Sequence, residues 1–249
     1  MEKVTFQNSK GLNLVGIFHF PEKETKSIII MAHGFMGDKD EWGRFIKTAE
    51  EFCKNGFAVF RYDFSASGES EGDSITVSQW VNDLKSAINF VKQKGYSNIG
   101  LLGLSLGGLC SILAYDEKIK TMVLWAPVTK AKTLTKLKEE IQAELNENGY
   151  TVVKNKVEKE FKIPKEYLIE RETIDQQKIL SKIKCPVLII HGDKDDVVPV
   201  EHSKKAIEYL PKESKLYIIE NADHGFYEQL DRIIFISLNW FKRYLAEQI

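Results

Sequence analysis

The sequence is poor in three features that each mark a class of protein: paired cysteines, long apolar runs and net charge. Its 249 residues include only Cys53, Cys110 and Cys185, an odd number without a C-x-x-C pair. This argues against a disulfide framework and a thiolate metal site. No run approaches the roughly 20 apolar residues that span a bilayer, and the N-terminus lacks the apolar stretch of a signal peptide. With 35 Lys and Arg against 36 Asp and Glu, no general attraction to nucleic acid is expected.

What is present is a large apolar fraction. Hydrophobic residues make up 43% of the chain and include 14 Phe, 9 Tyr and 4 Trp, too much apolar area for a disordered protein. We therefore expect one folded, cytoplasmic unit that acts on a small molecule, without a metal or cofactor. Nothing in the sequence decides against a homodimer.

Short β-branched runs alternate with amphipathic stretches of helical length. The runs lie at 3–7, 12–19, 27–32, 57–62, 98–103, 121–126, 186–190 and 215–220, and the helical patterns at 40–54, 77–94, 106–115, 201–209 and 226–247. This alternation predicts an α/β fold with a mostly parallel, doubly wound sheet of about eight strands and helices on both faces. The first two runs flank Gly11 and predict an antiparallel hairpin at one edge.

Residues 130–184 interrupt this rhythm. They hold 23 charged side chains in 55 positions, 13 basic and 10 acidic. Helical spacing over 133–148 precedes a stretch that could form a hairpin turning at Lys154 and Asn155, and Pro164 begins another short helical pattern. We expect residues 1–129 and 185–249 to form the core, with 130–184 inserted as a lid over the carboxyl ends of the strands, where open α/β sheets bind ligands. A solvated excursion without a role is the alternative.

The residues Gly103-Leu-Ser105-Leu-Gly107 follow a buried strand and precede a helical pattern. A G-x-S-x-G motif alone is weak, because an ordinary glycine-rich turn with a capping serine has the same pattern. In this context it predicts a tight turn that exposes a nucleophilic serine at a helix N-terminus.

A serine nucleophile needs an oriented base, and the chain offers both partners in the order serine, aspartate, histidine. His224 follows a strand, and His191-Gly-Asp193-Lys-Asp195-Asp196 follows an earlier one. The spacing to Val198 and Pro199 favours Asp195 as the acid, with Asp196 as the alternative. The predicted catalytic residues are Ser105, Asp195 and His224.

The oxyanion of a tetrahedral intermediate needs two fixed donors. The backbone N–H groups of Phe35, after His33-Gly34, and of Leu106 are the expected pair. Positions next to these motifs predict a largely apolar pocket, and the residues assigned to it are His33, Gly34, Trp125 and Val198, with Gln142 from the inserted segment. For His33, a structural bond to the backbone is the alternative to substrate contact.

The four motifs together resemble the α/β-hydrolase family over essentially the whole chain. Within that family the sequence is most similar to small intracellular carboxylesterases that include feruloyl esterases and monoacylglycerol lipases. Their D-x-x-G-H-G-x-S-x-G loop is matched from Asp63 to Gly72, but Ala66 and Ser67 stand where glycine and histidine are usual. The resemblance implies a lid of about this size between two core elements.

The expected function is a carboxylic ester hydrolase that acts through an acyl-enzyme on short acyl or aryl esters, hydroxycinnamoyl esters included. Feruloyl esterases of this type tend to use a lid aspartate, and this lid has none between Asp116 and Asp175. A monoacylglycerol lipase, a thioesterase, a serine aminopeptidase and a non-catalytic ligand-binding protein on the same fold are the alternatives.

Overall fold

A computed structural model describes residues 1–130 and 139–246, apart from the side chains of Glu139, Glu140 and Gln142. Its central sheet has eight strands, β1 (Glu2–Gln7), β2 (Asn13–His19), β3 (Ser27–Ala32), β4 (Ala58–Tyr62), β5 (Asn98–Leu104), β6 (Ile119–Trp125), β9 (Val187–Gly192) and β10 (Lys215–Ile219). They lie side by side in the order β1-β2-β4-β3-β5-β6-β9-β10. Strand β2 pairs antiparallel with both β1 and β4, and the remaining neighbours are parallel. The expected doubly wound α/β fold with an antiparallel hairpin at one edge is confirmed.

Helices pack on both faces of this sheet. The helices that pack on it are α1 (Arg44–Lys54), α2 (Val77–Gln93), α3 (Leu106–Leu113), α7 (Val200–Ala206) and α8 (Leu230–Tyr244). Among the described residues, no helix combines the length and apolarity needed to cross a bilayer.

The central strands are continuous apolar runs because both of their faces are covered. All six residues of β3 are buried, and they alternate between two cores: Ile28 and Ile30 lie in one, Ile29 and Met31 in the other. The first core includes residues of α2 and α3, and the second includes residues of α1 and α8. Helices on both faces leave the carboxyl edge of the parallel strands free for loops.

The inserted segment lies between β6 and β9 and has its own small elements. These are α4 (Glu139–Asn148), β7 (Tyr150–Lys154), β8 (Glu160–Pro164), α5 (Lys165–Glu172) and α6 (Gln176–Leu180). Strands β7 and β8 pair antiparallel, so the expected hairpin is present. Its turn is longer than expected, since Asn155 N donates to Lys159 O at 3.1 Å and closes a five-residue loop. The part of the predicted helix before residue 139 lies outside the described residues.

Two predicted helices begin later than their apolar patterns. The pattern over 40–54 starts with a single 3₁₀ turn at Glu41–Gly43, and α1 begins only at Arg44. The pattern from 226 becomes helical at Leu230, because Phe226 has a positive φ of 54°. Left-handed backbone cannot continue a right-handed helix. Both irregular stretches lie beside the candidate site.

Candidate active site

Ser105 occupies a strained turn between β5 and α3. Its φ of 53° and ψ of −115° lie in a region that residues other than glycine rarely adopt. The backbone is held on both sides, since Ser105 N donates to Trp125 O at 2.9 Å and Val128 N donates to Ser105 O at 3.1 Å. A Cβ at Gly107 would lie 2.2 Å from Ala32 O, so only glycine fits there. The turn therefore presents the serine at the start of a helix, as the motif predicts.

His224 and Asp195 meet at this edge of the sheet from two different loops. Asp195 lies in the loop after β9 and His224 in the loop after β10. Nδ1 of His224 donates to Oδ2 of Asp195 at 2.7 Å, because a carboxylate can only accept. The aspartate side chain is fully buried, and that of the histidine is 21% exposed. In the neutral ring this bond places the proton on Nδ1, so Nε2 is the nitrogen that can accept one.

The carboxylate of Asp195 is surrounded by donors. Its Oδ1 accepts the N–H groups of Val197 and Val198 at 2.9 and 2.8 Å. Burial pushes the pKa of this carboxyl upward, but hydrogen bonds from His191 and His224 and the Val198 N–H outweigh it and hold the pKa well below its ordinary range. Asp195 is therefore ionised throughout the neutral range. The alternative acid, Asp196, makes no such contact with His224 and lines the cavity described below.

His191 supports the aspartate from behind. Its Nε2 lies 2.9 Å from Val198 O and 3.1 Å from Oδ2 of Asp195, and both of these are acceptors. The proton is therefore on Nε2, and Nδ1 accepts the Ser203 hydroxyl at 2.7 Å. The histidine is fully buried and holds the Asp195 carboxylate in place.

Ser105 and His224 open into one cavity of about 560 Å³. Gly34 and Phe35 also line it, at the positions the sequence assigned to the pocket and the oxyanion hole. The remaining lining residues are Glu41, Trp42, Arg44, Leu104, Lys156, Lys194, Asp196, Val197, Asp223, Gly225 and Tyr227. Six of these are charged, so the wall of this cavity is of mixed polarity and carries more charge than the sequence predicts.

The loop after β3 brings a backbone donor next to Ser105. A Cβ built on Gly34 would lie 3.6 Å from Cβ of Ser105, which shows how closely the loop approaches. Gly34 O accepts Gly37 N at 3.1 Å and lies 2.9 Å from His33 Nδ1. In a trans peptide the N–H points opposite to the C=O, so these bonds orient the N–H of Phe35 away from them. Within the described part of the chain, that N–H has no acceptor.

The second expected oxyanion donor is the N–H of Leu106. Leu106 is the first residue of α3 and follows Ser105 directly. The first N–H groups of a helix have no partner within the helix and attract negative charge. The structure thus places both expected donors beside the serine.

Three residues assigned to the pocket lie elsewhere. Trp125 is 1% exposed in the core, where its Nε1 donates to Ser237 Oγ at 3.0 Å. Val198 is buried, and its exposed neighbour Val197 lines the cavity in its place. His33 is fully buried, and both of its ring nitrogens are bonded to the backbone. The N–H of Phe64 donates to Nε2 at 3.0 Å, and Nδ1–H donates to Gly34 O. For His33 the structure supports the structural alternative, and none of the three side chains lines the cavity.

The side chain of Gln142 lies outside the described residues, so its expected contact with substrate stays a prediction. Within the described chain, no group of three His, Cys, Asp or Glu side chains is arranged to hold a metal ion.

Sequence reasoning missed the residues around the rim of the cavity. Glu41 and Arg44 appeared as polar positions of a predicted helix, and nothing in their spacing signalled the left-handed backbone at Glu41 and Trp42. Lys156 comes from the turn of the β7–β8 hairpin, and Tyr227 from the loop after His224. A three-dimensional contact between separate loops leaves no periodic trace in the sequence.

Comparison with known proteins agrees with this architecture. The chain is similar to the palmitoyl-protein thioesterase ABHD10, mitochondrial, of Mus musculus, with 30% identity over 197 residues, 74% of this chain and 65% of that protein. In three dimensions it is similar to Est1E from Butyrivibrio proteoclasticus with ferulic acid bound, with a TM-score of 0.83, 22% identity and coverage of 98% and 100% of the two chains. It is also similar to mouse alpha/beta hydrolase domain-containing protein 10, with a TM-score of 0.77, 23% identity and coverage of 98% and 99%.

Residues 23–172 match the model of the family Hydrolase_4, described as serine aminopeptidase, S33. This match spans more than half of the chain, and the fold around it is that of the structural relatives. The chain therefore belongs to the Hydrolase_4 family of α/β-hydrolases.

Proposed function

We propose that this protein is a serine hydrolase that cleaves carboxylic esters and thioesters through an acyl-enzyme on Ser105. The observation that carries the proposal is the shared cavity. Ser105, on a strained turn, and His224, fixed by Asp195 at 2.7 Å, both open into it.

In the first step His224 Nε2 takes the proton of the Ser105 hydroxyl as the serine oxygen attacks the acyl carbon. Asp195 stabilises the imidazolium that forms. The carbonyl oxygen becomes an oxyanion, which the N–H groups of Phe35 and Leu106 stabilise. When the intermediate collapses, the bond from the acyl carbon to the leaving oxygen or sulfur breaks, and His224 returns the proton to the leaving group.

In the second step water replaces the leaving group. His224 takes a proton from the water, the hydroxide oxygen attacks the acyl carbon, and the bond to Ser105 breaks with the proton returned to the serine. The products are the free acid and the regenerated enzyme. No redox partner is needed, because no atom changes its oxidation state.

The proposal includes the inserted segment, residues 130–184, as a cover over the site. In support, Asn155 Nδ2 donates to Met36 O at 3.2 Å, and Lys159 Nζ donates to Gly68 O at 3.0 Å. The ring of Tyr167 stacks on Phe35 with 5.3 Å between ring centroids. The hairpin and α5 thus contact the loop that carries the proposed oxyanion donor.

Thioesters are included because a relative at 30% identity is named a palmitoyl-protein thioesterase. Aryl esters are included because Est1E, at a TM-score of 0.83, is described with ferulic acid bound. Both substrate classes pass through the same acyl-enzyme, so the chemistry at Ser105 does not separate them.

A substrate panel separates the classes. We expect p-nitrophenyl butyrate and an acyl thioester to be hydrolysed faster than an aminoacyl anilide. The rates on methyl ferulate and on a monoacylglycerol then show which acyl group and which alcohol the enzyme prefers. A preference for the anilide would overturn the esterase proposal in favour of a peptidase. Ser105→Ala should abolish all of these activities, while Ser181→Ala, which changes an exposed serine outside the cavity, should keep them. No turnover of any substrate and no fluorophosphonate labelling would favour a non-catalytic binding protein.

A further inference from the structure

We infer that Glu41 and Arg44 are positioning residues. They hold the loop after β3, which carries Phe35, and the loop after β10, which carries His224, in a fixed relation across the cavity. This inference rests on the proposed function, since it assigns these two residues a part in the same reaction. Neither is proposed to touch the reacting atoms.

A continuous chain of short hydrogen bonds joins the two loops. Gly34 N, one residue before the proposed donor Phe35, donates to Glu41 Oε1 at 2.6 Å. The other carboxylate oxygen of Glu41 accepts from Arg44 NH2 at 2.6 Å. Arg44 NH1 then donates to Gly225 O, one residue after His224, at 2.6 Å. The oxyanion donor and the base are thereby tied through a single ion pair.

The pair is buried. Glu41 is 1% exposed and Arg44 7% exposed. Arg44 Nε also donates to the backbone of Glu41 at 3.1 Å, and the guanidinium lies 4.8 Å from the centre of the Tyr227 ring. A buried ion pair tends to cost as much desolvation as it gains in attraction, so its net contribution to stability is small. Its contribution is to fix the positions of Gly34 and Gly225 relative to each other.

The backbone at Glu41 and Trp42 departs from helical geometry, next to the hydrogen bonds that the Glu41 carboxylate makes. Glu41 and Trp42 have φ values of 47° and 52°, two successive left-handed residues other than glycine. A Cβ at Gly37 would lie 2.5 Å from Glu41 Oε1, so the loop also leaves room for the carboxylate. An uninterrupted helix over 40–54 would not need this strain. Strained backbone of this kind tends to cluster where a site needs it.

The consequence for the reaction follows from the peptide geometry. Glu41 anchors Gly34 N, while Gly34 O is held by His33 and Gly37, so the Gly34–Phe35 peptide has little freedom to rotate. Loss of the Glu41 carboxylate or of the Arg44 fork loosens this peptide relative to His224. The oxyanion, which exists only in the intermediates, then loses a well-placed donor, and ground-state binding is little affected.

The test uses the full chain with Glu41→Gln and Arg44→Lys. Glu41→Gln keeps an oxygen that can accept from Gly34 N but removes the charge that holds Arg44. Arg44→Lys keeps the buried cation but has one nitrogen, which cannot occupy both of the positions from which NH1 and NH2 donate to Gly225 and Glu41. The matched control is Glu208→Gln, which breaks an exposed ion pair of the same i,i+3 spacing, with Lys205 at 2.5 Å.

We expect each variant at the buried pair to lower kcat by about 10- to 100-fold, somewhat less than deletion of an oxyanion donor, with KM little changed. Binding of a trifluoromethyl ketone, which forms an oxyanion on Ser105, should weaken by the same factor. Binding of an uncleaved substrate amide should not change. Fluorophosphonate titration counts the folded sites, so a partly unfolded sample does not mimic the effect, and Arg44→Lys serves if Glu41→Gln is poorly folded.

Unchanged kcat and unchanged ketone affinity in the variants would overturn the inference while leaving the esterase proposal intact. The same holds if the variants alter only KM or only thermal stability. A wild-type protein that forms no acyl-enzyme would instead refute the proposed function. The control Glu208→Gln should match the wild type in every readout.

Discussion

At the scale of single residues, Asp195 has the most constrained environment in the site. Two backbone N–H groups and two imidazoles bind its carboxylate, and its side chain is fully buried. Burial alone would raise the pKa, yet the hydrogen bonds lower it, so the charge is maintained where His224 needs a partner. The proposed role of Asp195 is therefore to fix the tautomer of His224 and to stabilise its cation.

Asp195→Asn tests this role. The amide has nearly the same shape, but it lacks the charge and can present an N–H to His224, which favours the wrong tautomer. We expect kcat to fall by roughly 10³- to 10⁴-fold on p-nitrophenyl butyrate in steady-state assays. Asp196→Asn, at the neighbouring alternative, should have little effect. A larger loss for Asp196→Asn than for Asp195→Asn would reverse the assignment.

The sequence could predict which residues meet at the site, but few of the residues that line its walls. The glycines around Ser105 and the spacing from Asp195 to Pro199 are local patterns in the sequence. They are visible because the turn and the loop each require those residues. The burial of Trp125 carries no such signal, because a residue at a strand end can face the pocket or the core with the same pattern. Glu41 and Arg44 were missed because their partners, Gly34 and Gly225, lie in separate loops.

At the scale of secondary-structure elements, the turn from β5 into α3 depends on close contact with the neighbouring strand. Gly107 lies against the carbonyl oxygens of Ala32 and His33, where a Cβ would come within 2.2 and 2.4 Å. Because both atoms belong to the backbone, neither can move without displacing β3. The start of α3 and the loop that carries Phe35 are thus packed against each other directly.

Gly107→Ala should therefore destabilise the fold far more than a Gly→Ala substitution at a position where glycine is needed only for its backbone angle. We expect a loss of about 3 kcal/mol or more in unfolding free energy, together with loss of esterase activity. The matched variant is Gly56→Ala, where φ is +89° but nothing lies within 4 Å of the added Cβ. That change should cost about 1–2 kcal/mol. Equal losses in urea unfolding would contradict the packing argument.

Apolar periodicity predicted these elements well and their beginnings poorly. Strands β3, β4, β5, β6 and β9 are unambiguous because they are buried on both faces, which leaves a largely continuous apolar run. The starts of α1 and α8 were placed too early, because left-handed residues at Glu41, Trp42 and Phe226 interrupt patterns that are otherwise helical. Loop contacts, and not local preference, determine those angles.

At the scale of the whole molecule, charge is distributed unevenly although the total is only −1. The inserted segment carries 13 basic and 10 acidic residues, a net of +3, which leaves −4 on the remainder. Its described contacts with the core are partly polar, such as Val77 N donating to Glu170 Oε2 at 2.6 Å. The proposed cover is thus densely charged, and six of the residues that line the cavity are charged as well.

The pH dependence of stability has a predictable contribution from His19. Burial, followed by the charge of Arg61, lowers the pKa of His19 to about 4. Because the folded state binds the proton less readily than the unfolded state does, stability should fall as the pH drops from about 6.5 towards 4. His19→Gln removes this proton uptake, and its amide oxygen can still accept from Arg61 Nε.

We therefore expect wild-type unfolding free energy to drop by about 1–2 kcal/mol more than that of His19→Gln between pH 7 and pH 4.5. Urea unfolding at a series of pH values measures the difference. Parallel curves for the two proteins would show that the pKa of His19 does not differ between the folded and unfolded states.

Acylation of Ser105 can be measured directly. Rapid mixing with p-nitrophenyl acetate should release a burst of p-nitrophenol equal to the concentration of active sites, and mass spectrometry of the quenched enzyme should place the acetyl group on the peptide that contains Ser105. Ser105→Ala should lose both the burst and the adduct, and Ser181→Ala should keep them. An acyl group on another residue, or a burst that survives Ser105→Ala, would contradict the account.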